Sequence, residues 1–123
     1  HLKLNDEPIY IQFNPSHLDQ IIWNLCRNGW RHSHKKLGSL KISIQQNSKG
    51  LAILTIRNDG DEITTHNQAR IFEPFFTTEG KGTGLGLYIS RQLCLRNHAE
   101  LLFESSQEET IFSIHFQKVA TKC

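Results

Sequence analysis

The chain has 123 residues, 14 basic and 12 acidic, for a formal net charge of +2. That length suits one domain with a core able to fold unaided, and 37% hydrophobic with 21% charged residues is a globular composition. The even charge balance argues against nucleic acid as a partner, and no apolar run approaches the roughly 18–20 residues of a membrane span.

No basic-then-apolar leader opens the sequence, so no signal peptide is expected. Cys26, Cys94 and Cys123 form an odd, widely spaced set without a Cys-x-x-Cys pair. That usage points to a reducing compartment, with neither a disulfide framework nor a zinc knuckle. His32-x-His34 reads as a polar helix end rather than a metal pair. No linker, repeat or low-complexity stretch interrupts the chain, so residues 1–123 are expected to form a single domain.

In chain order, residues 9–13 are β-prone and stop at Asn14-Pro15. Ser16, with Asp19 three residues on, resembles a capping box. Leu18, Ile21, Ile22 and Leu25 then form one apolar face of a helix that runs to about Ser33. Residues 40–45 alternate as a half-buried strand, Asn47 to Gly50 is turn material, and residues 51–57 are a more apolar second strand, giving an antiparallel hairpin. Residues 58–66 read as loop and 67–72 as a short helical turn. After a glycine-rich stretch, Leu85, Ile89 and Leu93 predict a helix to about Asn97, and residues 100–104 and 110–116 close the chain as strands. The order β-α-β-β-α-β-β predicts an α/β fold of two layers, a mixed and mostly antiparallel sheet with helices on one face.

Four segments carry chemistry. Gly80-Lys81-Gly82-Thr83-Gly84-Leu85-Gly86 leads into a helix, where backbone N–H groups and the helix dipole suit phosphate. It fits neither the P-loop, in which the lysine is followed by Ser or Thr where Gly82 follows Lys81 here, nor the dinucleotide fingerprint, because no strand runs into it; alone it reads equally as a hinge. On the first helix Gln20, Asn24, Asn28 and Arg31 recur at i, i+4, i+8 and i+11, a polar stripe beside the apolar face. An amide oxygen is a hard ligand for Mg²⁺ and a guanidinium holds phosphate, although a solvated helix face has the same pattern. Asn58-Asp59-Gly60 follows a strand, either as an ordinary turn or as an acceptor for an exocyclic amine. Ile71-Phe72-Glu73-Pro74-Phe75-Phe76 sets three phenylalanines around a proline, as core plugs or as a lid anchor.

Taken in chain order, the four segments resemble the N, G1, F and G2 boxes of the sensor histidine kinase ATP-binding domain, within the gyrase/Hsp90/histidine kinase/MutL superfamily. The resemblance covers about residues 5–117, and the run from Phe72 to Cys94 is most similar to PilS-type kinases, which regulate type IV pili, with NtrB-type sensors next. It implies a two-layer α/β sandwich of the Bergerat type that holds ATP and Mg²⁺ under a short lid. It further implies that Asn28 binds Mg²⁺, that Arg31 and Lys81 contact phosphate, and that Gly82, Thr83, Gly84, Leu85 and Gly86 form the phosphate loop. Asn58 falls at the adenine-reading position, with Gly60 and Ile63 beside the base and Phe75 and Phe76 in the F box. Asn24 stands where the ATPase branches carry a catalytic Glu, and an amide cannot be that base.

Asn58 replaces the expected Asp, Asp61-Glu62 replace a pair such as Pro-Gly, and Trp30 is bulkier than usual. Together these are expected to weaken nucleotide binding by about 1–2 kcal/mol. The resemblance implies phosphoryl transfer from Mg-ATP to a histidine on a separate dimerisation and phosphoacceptor domain, with a response regulator downstream. No histidine here lies in a His-[Asp/Glu]-x-x-[Asn/Thr]-Pro context, so the chain is expected to be an excised catalytic domain that does not autophosphorylate alone. It is expected in the cytoplasm, as part of a membrane-anchored sensor, without touching membrane itself. The competing readings are a degenerate nucleotide-fold module with weak or no ATP binding, a gyrase- or MutL-like ATPase and, more remotely, an anti-sigma-factor kinase.

Overall fold

The computed structural model describes residues 11–76 and 84–117. Helix α1 spans Pro15–His32. Its cap is Asn14 rather than Ser16: the Asn14 side chain accepts from the His17 N–H at 3.1 Å. Pro15 takes the first helical position, where its missing N–H costs nothing and its φ is already helical, so the cap moves back one residue. Ile21, Leu25 and Gly29 form the buried stripe of this helix.

Strands β1 (Leu40–Gln46) and β2 (Ala52–Asn58) form the expected antiparallel hairpin. β2 runs one residue further than the alternation suggests, which makes Asn58 its last residue. The helical turn lies earlier than expected, as α2 at Thr65–Gln68, because Thr64 caps it by accepting from the Asn67 N–H at 3.2 Å. Helix α3 covers Gly86–Arg96, and β3 (Ala99–Ser105) and β4 (Thr110–Phe116) close a second hairpin. The buried centre of α3 is Ser90 and Cys94, with the leucine stripe half-buried to either side. Of the predicted strand at 9–13, residues 9 and 10 lie outside the described residues, and 11–13 carry no strand pairing.

The sheet order is β1-β2-β4-β3, and each pairing among the described residues is antiparallel. Register explains the core. Ile42, Ile56, Phe112 and Phe103 stand in one cross-strand row, and Ile44, Leu54, Ile114 and Leu101 in the next. Both rows face the layer formed by α1 and α3. Phe103 stacks on Phe112 at 5.9 Å, and Phe72 meets both rings edge-on at 5.9 and 6.4 Å. Such pairs contribute about 0.5–1.5 kcal/mol each beyond their buried area.

The third row breaks the pattern: Leu40, Asn58, Thr110 and Ser105. Three of these four are polar, and Asn58 and Thr110 are buried. The Ser105 and Thr110 hydroxyls share a hydrogen bond at 2.8 Å, and Ser105 Oγ also accepts from the Ile63 N–H at 2.9 Å. A buried polar row needs such partners, and this one marks the end of the sheet where a cavity opens.

Candidate functional site: a cavity between α1 and α3

The cavity measures about 590 Å³, within the range of small-molecule and cofactor sites. One wall is α1. Gln20, Asn24, Asn28 and Arg31 all line it, so the polar stripe of that helix faces the cavity rather than bulk solvent. The Asn28 side chain makes no hydrogen bond to any described residue, which leaves its amide oxygen available as a hard donor for a divalent cation. Asn24 is committed: its Nδ2 donates to the Gly86 carbonyl at 3.5 Å and to Ser90 Oγ at 3.4 Å. These long contacts tie α1 to the first turn of α3.

The opposite wall is the start of α3, where Gly84, Leu85 and Gly86 line the cavity. Leu85 is the N-cap and makes no side-chain capping bond. The start of the helix brings first-turn N–H groups and the positive end of its dipole to the cavity, a ready environment for an anion. Lys81, Gly82 and Thr83, predicted to complete this loop, lie outside the described residues.

The floor is the polar end of the sheet. Asn58 and Thr110 line it together with Ile63 and Phe76. Phe76 carries the Arg70 guanidinium 4.7 Å from its ring centre, and Arg91 sits 5.3 Å from the Phe72 ring. Three predicted residues sit differently from expectation. Gly60 is off the cavity wall and works through close approach: at φ +115 a Cβ would stand 2.0 Å from the His32 carbonyl oxygen. Phe75 is also off the wall, 74% exposed, with φ 66. Its N–H donates to the Gly84 carbonyl at 2.8 Å, and a Cβ on Gly84 would stand 2.4 Å from the Phe75 carbonyl carbon. Trp30, noted above as bulkier than usual, is 44% exposed and does not line the cavity.

Other lining residues were not singled out by sequence. Thr110 enters because the pairing of β2 with the non-consecutive strand β4 places it beside Asn58, and no local motif marks that register. Asn67 and Arg27 line the cavity as well, and no local motif marks them. Asp61 and Glu62 are exposed on the rim, where their carboxylates add negative charge.

Asp59 anchors the loop after α1. Its carboxylate accepts from the His34 N–H at 2.8 Å and from Ser39 Oγ at 2.8 Å. The His34 N–H, followed by the Ser39 hydroxyl and nearby positive charge, holds the Asp59 carboxyl below its usual range, outweighing partial desolvation. Burial raises the Cys26 thiol and pushes Cys94 up to about 12, so neither is a thiolate nucleophile at neutral pH.

No helix among the described residues is long and apolar enough to cross a membrane. Residues 13–120 match the family described as histidine kinase-, DNA gyrase B-, and HSP90-like ATPase. The chain is 38% identical over 111 residues to the sensor protein kinase PilS of Pseudomonas aeruginosa, covering 88% of this chain and 21% of that protein. It is 33% identical over 114 residues to sporulation kinase A of Bacillus subtilis, covering 91% and 18% respectively. The chain thus spans about a fifth of the length of these curated relatives. Among solved structures, the Acinetobacter baumannii histidine kinase AdeS superposes with a TM-score of 0.72 at 28% identity, over 94% of this chain and 52% of that one. Full-length ShkA in complex with AMPPNP shares the fold, with a TM-score of 0.83 at 20% identity over 99% of this chain and 26% of that one. The chain belongs to the histidine kinase-, DNA gyrase B- and HSP90-like ATPase family, as an ATP-binding catalytic domain of the histidine-kinase branch.

Proposed function

We propose that this domain binds Mg-ATP in the cavity between α1 and α3. It then presents the γ-phosphoryl group to a histidine on a separate dimerisation and phosphoacceptor domain, with a response regulator as the onward acceptor. The observation that carries this reading is the facing pair of walls: the amides and Arg31 of α1 on one side, the N-terminal start of α3 on the other.

The chemistry asked of the protein is mainly positioning and charge neutralisation, as in phosphoryl transfer generally. The α3 N-terminus would hold phosphate oxygens through backbone N–H groups, and Arg31 would add a full positive charge. Lys81 is assigned the same work from the other side. A magnesium ion, for which Asn28 supplies a fitting uncommitted oxygen, would neutralise phosphate charge. Asn58 and Thr110 would meet the base, with Gly60 and Ile63 beside it. Asn24 offers no carboxylate and is spent on Gly86 and Ser90, so it neither activates water nor takes a proton. Its role is to keep α1 and the phosphate end of α3 in register. ATP is a cytoplasmic substrate, so the domain works on that side of a membrane-anchored sensor, and type IV pilus control is the pathway to test first.

The degenerate-module reading draws on Asp61 and Glu62, whose charge on the rim opposes a polyphosphate. One experiment separates the two. The chain is mixed with Mg-ATP and a dimeric phosphoacceptor domain from a PilS-type kinase. Alkali-stable, acid-labile phosphate on the partner, and none on the chain incubated alone, is the expected outcome. Absence of transfer together with no detectable binding of nucleotide to the chain would favour the degenerate module.

A further inference from the structure

β1 is an edge of the sheet, and nothing among the described residues pairs with its outer side. The strand is seven residues long, has no proline, and carries one charge, Lys41. Sheet edges are usually blunted by charge, proline or a bulge, and this one is blunted lightly. Its hydrogen bonding fixes what the edge offers. The Asp59 N–H donates to the Ser39 carbonyl and the Asn47 N–H to the Leu51 carbonyl, so the odd-numbered residues of β1 bond to β2. The N–H and C=O groups of Leu40, Ile42, Ile44 and Gln46 therefore point outward.

The core is also thin at this edge. Ile42 and Ile44 are half-buried, whereas Ile56, Phe112, Leu54 and Ile114 in the same two rows are at most 2% exposed. Helix α3 lies against the flank of α1 that carries His17 and Asn24. The other flank, on the β1 side, carries Ile22 and Cys26, both half-buried, and beyond them the exposed Trp23 and Trp30. Each indole leaves on the order of 100 Å² in water.

We propose that this edge is a self-association surface: two copies pair β1 with β1, antiparallel, about a two-fold axis at Ser43. Their four-stranded sheets become one continuous sheet. Leu40 then bonds to the partner's Gln46, and Ile42 to the partner's Ile44, so every outward backbone group is satisfied. Ile42 and Ile44 lie on the helix side, where the two tryptophan-bearing flanks of α1 close over them. On the open side Lys41 stands opposite the partner's Gln45, and no like charges meet. The β3 edge does not offer this. Pairing it with itself about Leu102 would set Glu100 directly against the partner's Glu104, which is destabilising. The β1 contact is isologous and closes at two copies. The cavity lies on the opposite flank of α1 and stays open. One short strand and two indoles from each copy make an interface at the low end of the stable range, so free chains associate weakly. Tethering to a common dimerisation domain would raise the effective concentration to the order of millimolar, where a weak contact suffices.

The test is sedimentation velocity of the chain, under reducing conditions, from about 10 µM to 1 mM. A monomer–dimer equilibrium is expected. Gln45 is exposed, so its charge can be changed without disturbing the fold. Gln45→Glu places a carboxylate opposite the partner's Lys41 and should tighten the dimer at least about threefold; Gln45→Lys should weaken it at least about threefold, and adding Lys41→Glu to Gln45→Lys should restore it. Ser43→Cys sets two thiols across the axis at a non-hydrogen-bonded pair, with Cα atoms about 4.5 Å apart, within disulfide reach. On oxidation it should give more covalent dimer than the parent chain, and Gln45→Cys should not. A parent chain that stays monomeric at about 1 mM overturns the proposal, whether or not the variants fold. So do a dimer indifferent to the charge at 45, oxidation that links Gln45→Cys but not Ser43→Cys, and assemblies that grow beyond two copies.

Discussion

Gly60 and Gly50 both sit at positive φ, +115 and +80, but their surroundings differ. A Cβ on Gly50 would meet nothing within 4 Å, whereas one on Gly60 would lie 2.0 Å from the His32 carbonyl oxygen. Gly50→Ala should therefore cost only the backbone term of about 1–2 kcal/mol. Gly60→Ala should cost clearly more, because the overlap is with backbone that cannot swing aside, and the end of α1 must move with it. Thermal unfolding of the two variants side by side checks the difference, at several degrees per kcal/mol for a domain of this size. Asp59 gives a pH signature at the same scale. Its carboxyl is held below its ordinary value of 3.8, so its contribution to stability is present above that pH and is lost as pH falls through the lowered folded value. Asp59→Asn should melt earlier than the parent at pH 5–7, and the two curves should converge as the solution is acidified below pH 4.

At the scale of elements, the start of α1 is held by side chains that the hydrophobic pattern does not report. Asn14 caps it, and Asn97, at the end of α3, reaches across to the same turn. Asn97 Oδ1 accepts from the Asn14 N–H at 2.9 Å, and Asn97 Nδ2 donates to the Leu93 carbonyl at 2.8 Å and lies 3.0 Å from His17 Nδ1. Asn14→Ala should destabilise by about 1 kcal/mol, the usual value of an N-cap. Asn97→Ala should cost more, because it strips partners from two helices at once, and a denaturant midpoint for each variant decides it. The same elements show what could be read from sequence. The stripe of Gln20, Asn24, Asn28 and Arg31 was legible because helical period alone puts those residues on one side. The cap was not, because Ser16-x-x-Asp19 is a stronger local pattern than Asn14-Pro15, and the outcome turns on where proline tolerates a missing N–H. The positive φ of Phe75 was illegible as well, since the Gly84 carbonyl that holds it is distant in sequence.

For the whole molecule, alternation in Ile42, Ile56, Ile114 and Phe112 was sufficient to read two hairpins and a one-sided core. The order β1-β2-β4-β3 and the polar row Asn58–Thr110–Ser105 were not readable, because register between distant strands is set by packing across the sheet rather than by neighbours in the chain. Phe112 lies where both layers meet, 1% exposed and in contact with Phe103 and Phe72. Phe112→Ala should cost about 3–5 kcal/mol, with a lower unfolding midpoint and, since Phe112 also lines the cavity, weaker nucleotide binding. The central claim is that the space between α1 and α3 is a Mg-nucleotide site. Calorimetric titration of the chain with ATP, with and without Mg²⁺, beside Asn28→Ala, tests it most directly. Binding in the micromolar-to-millimolar range that weakens at least about tenfold when Mg²⁺ is withdrawn, and by a similar factor in the variant, is the result expected from losing one charged contact. No heat and no thermal shift at several millimolar nucleotide would contradict it.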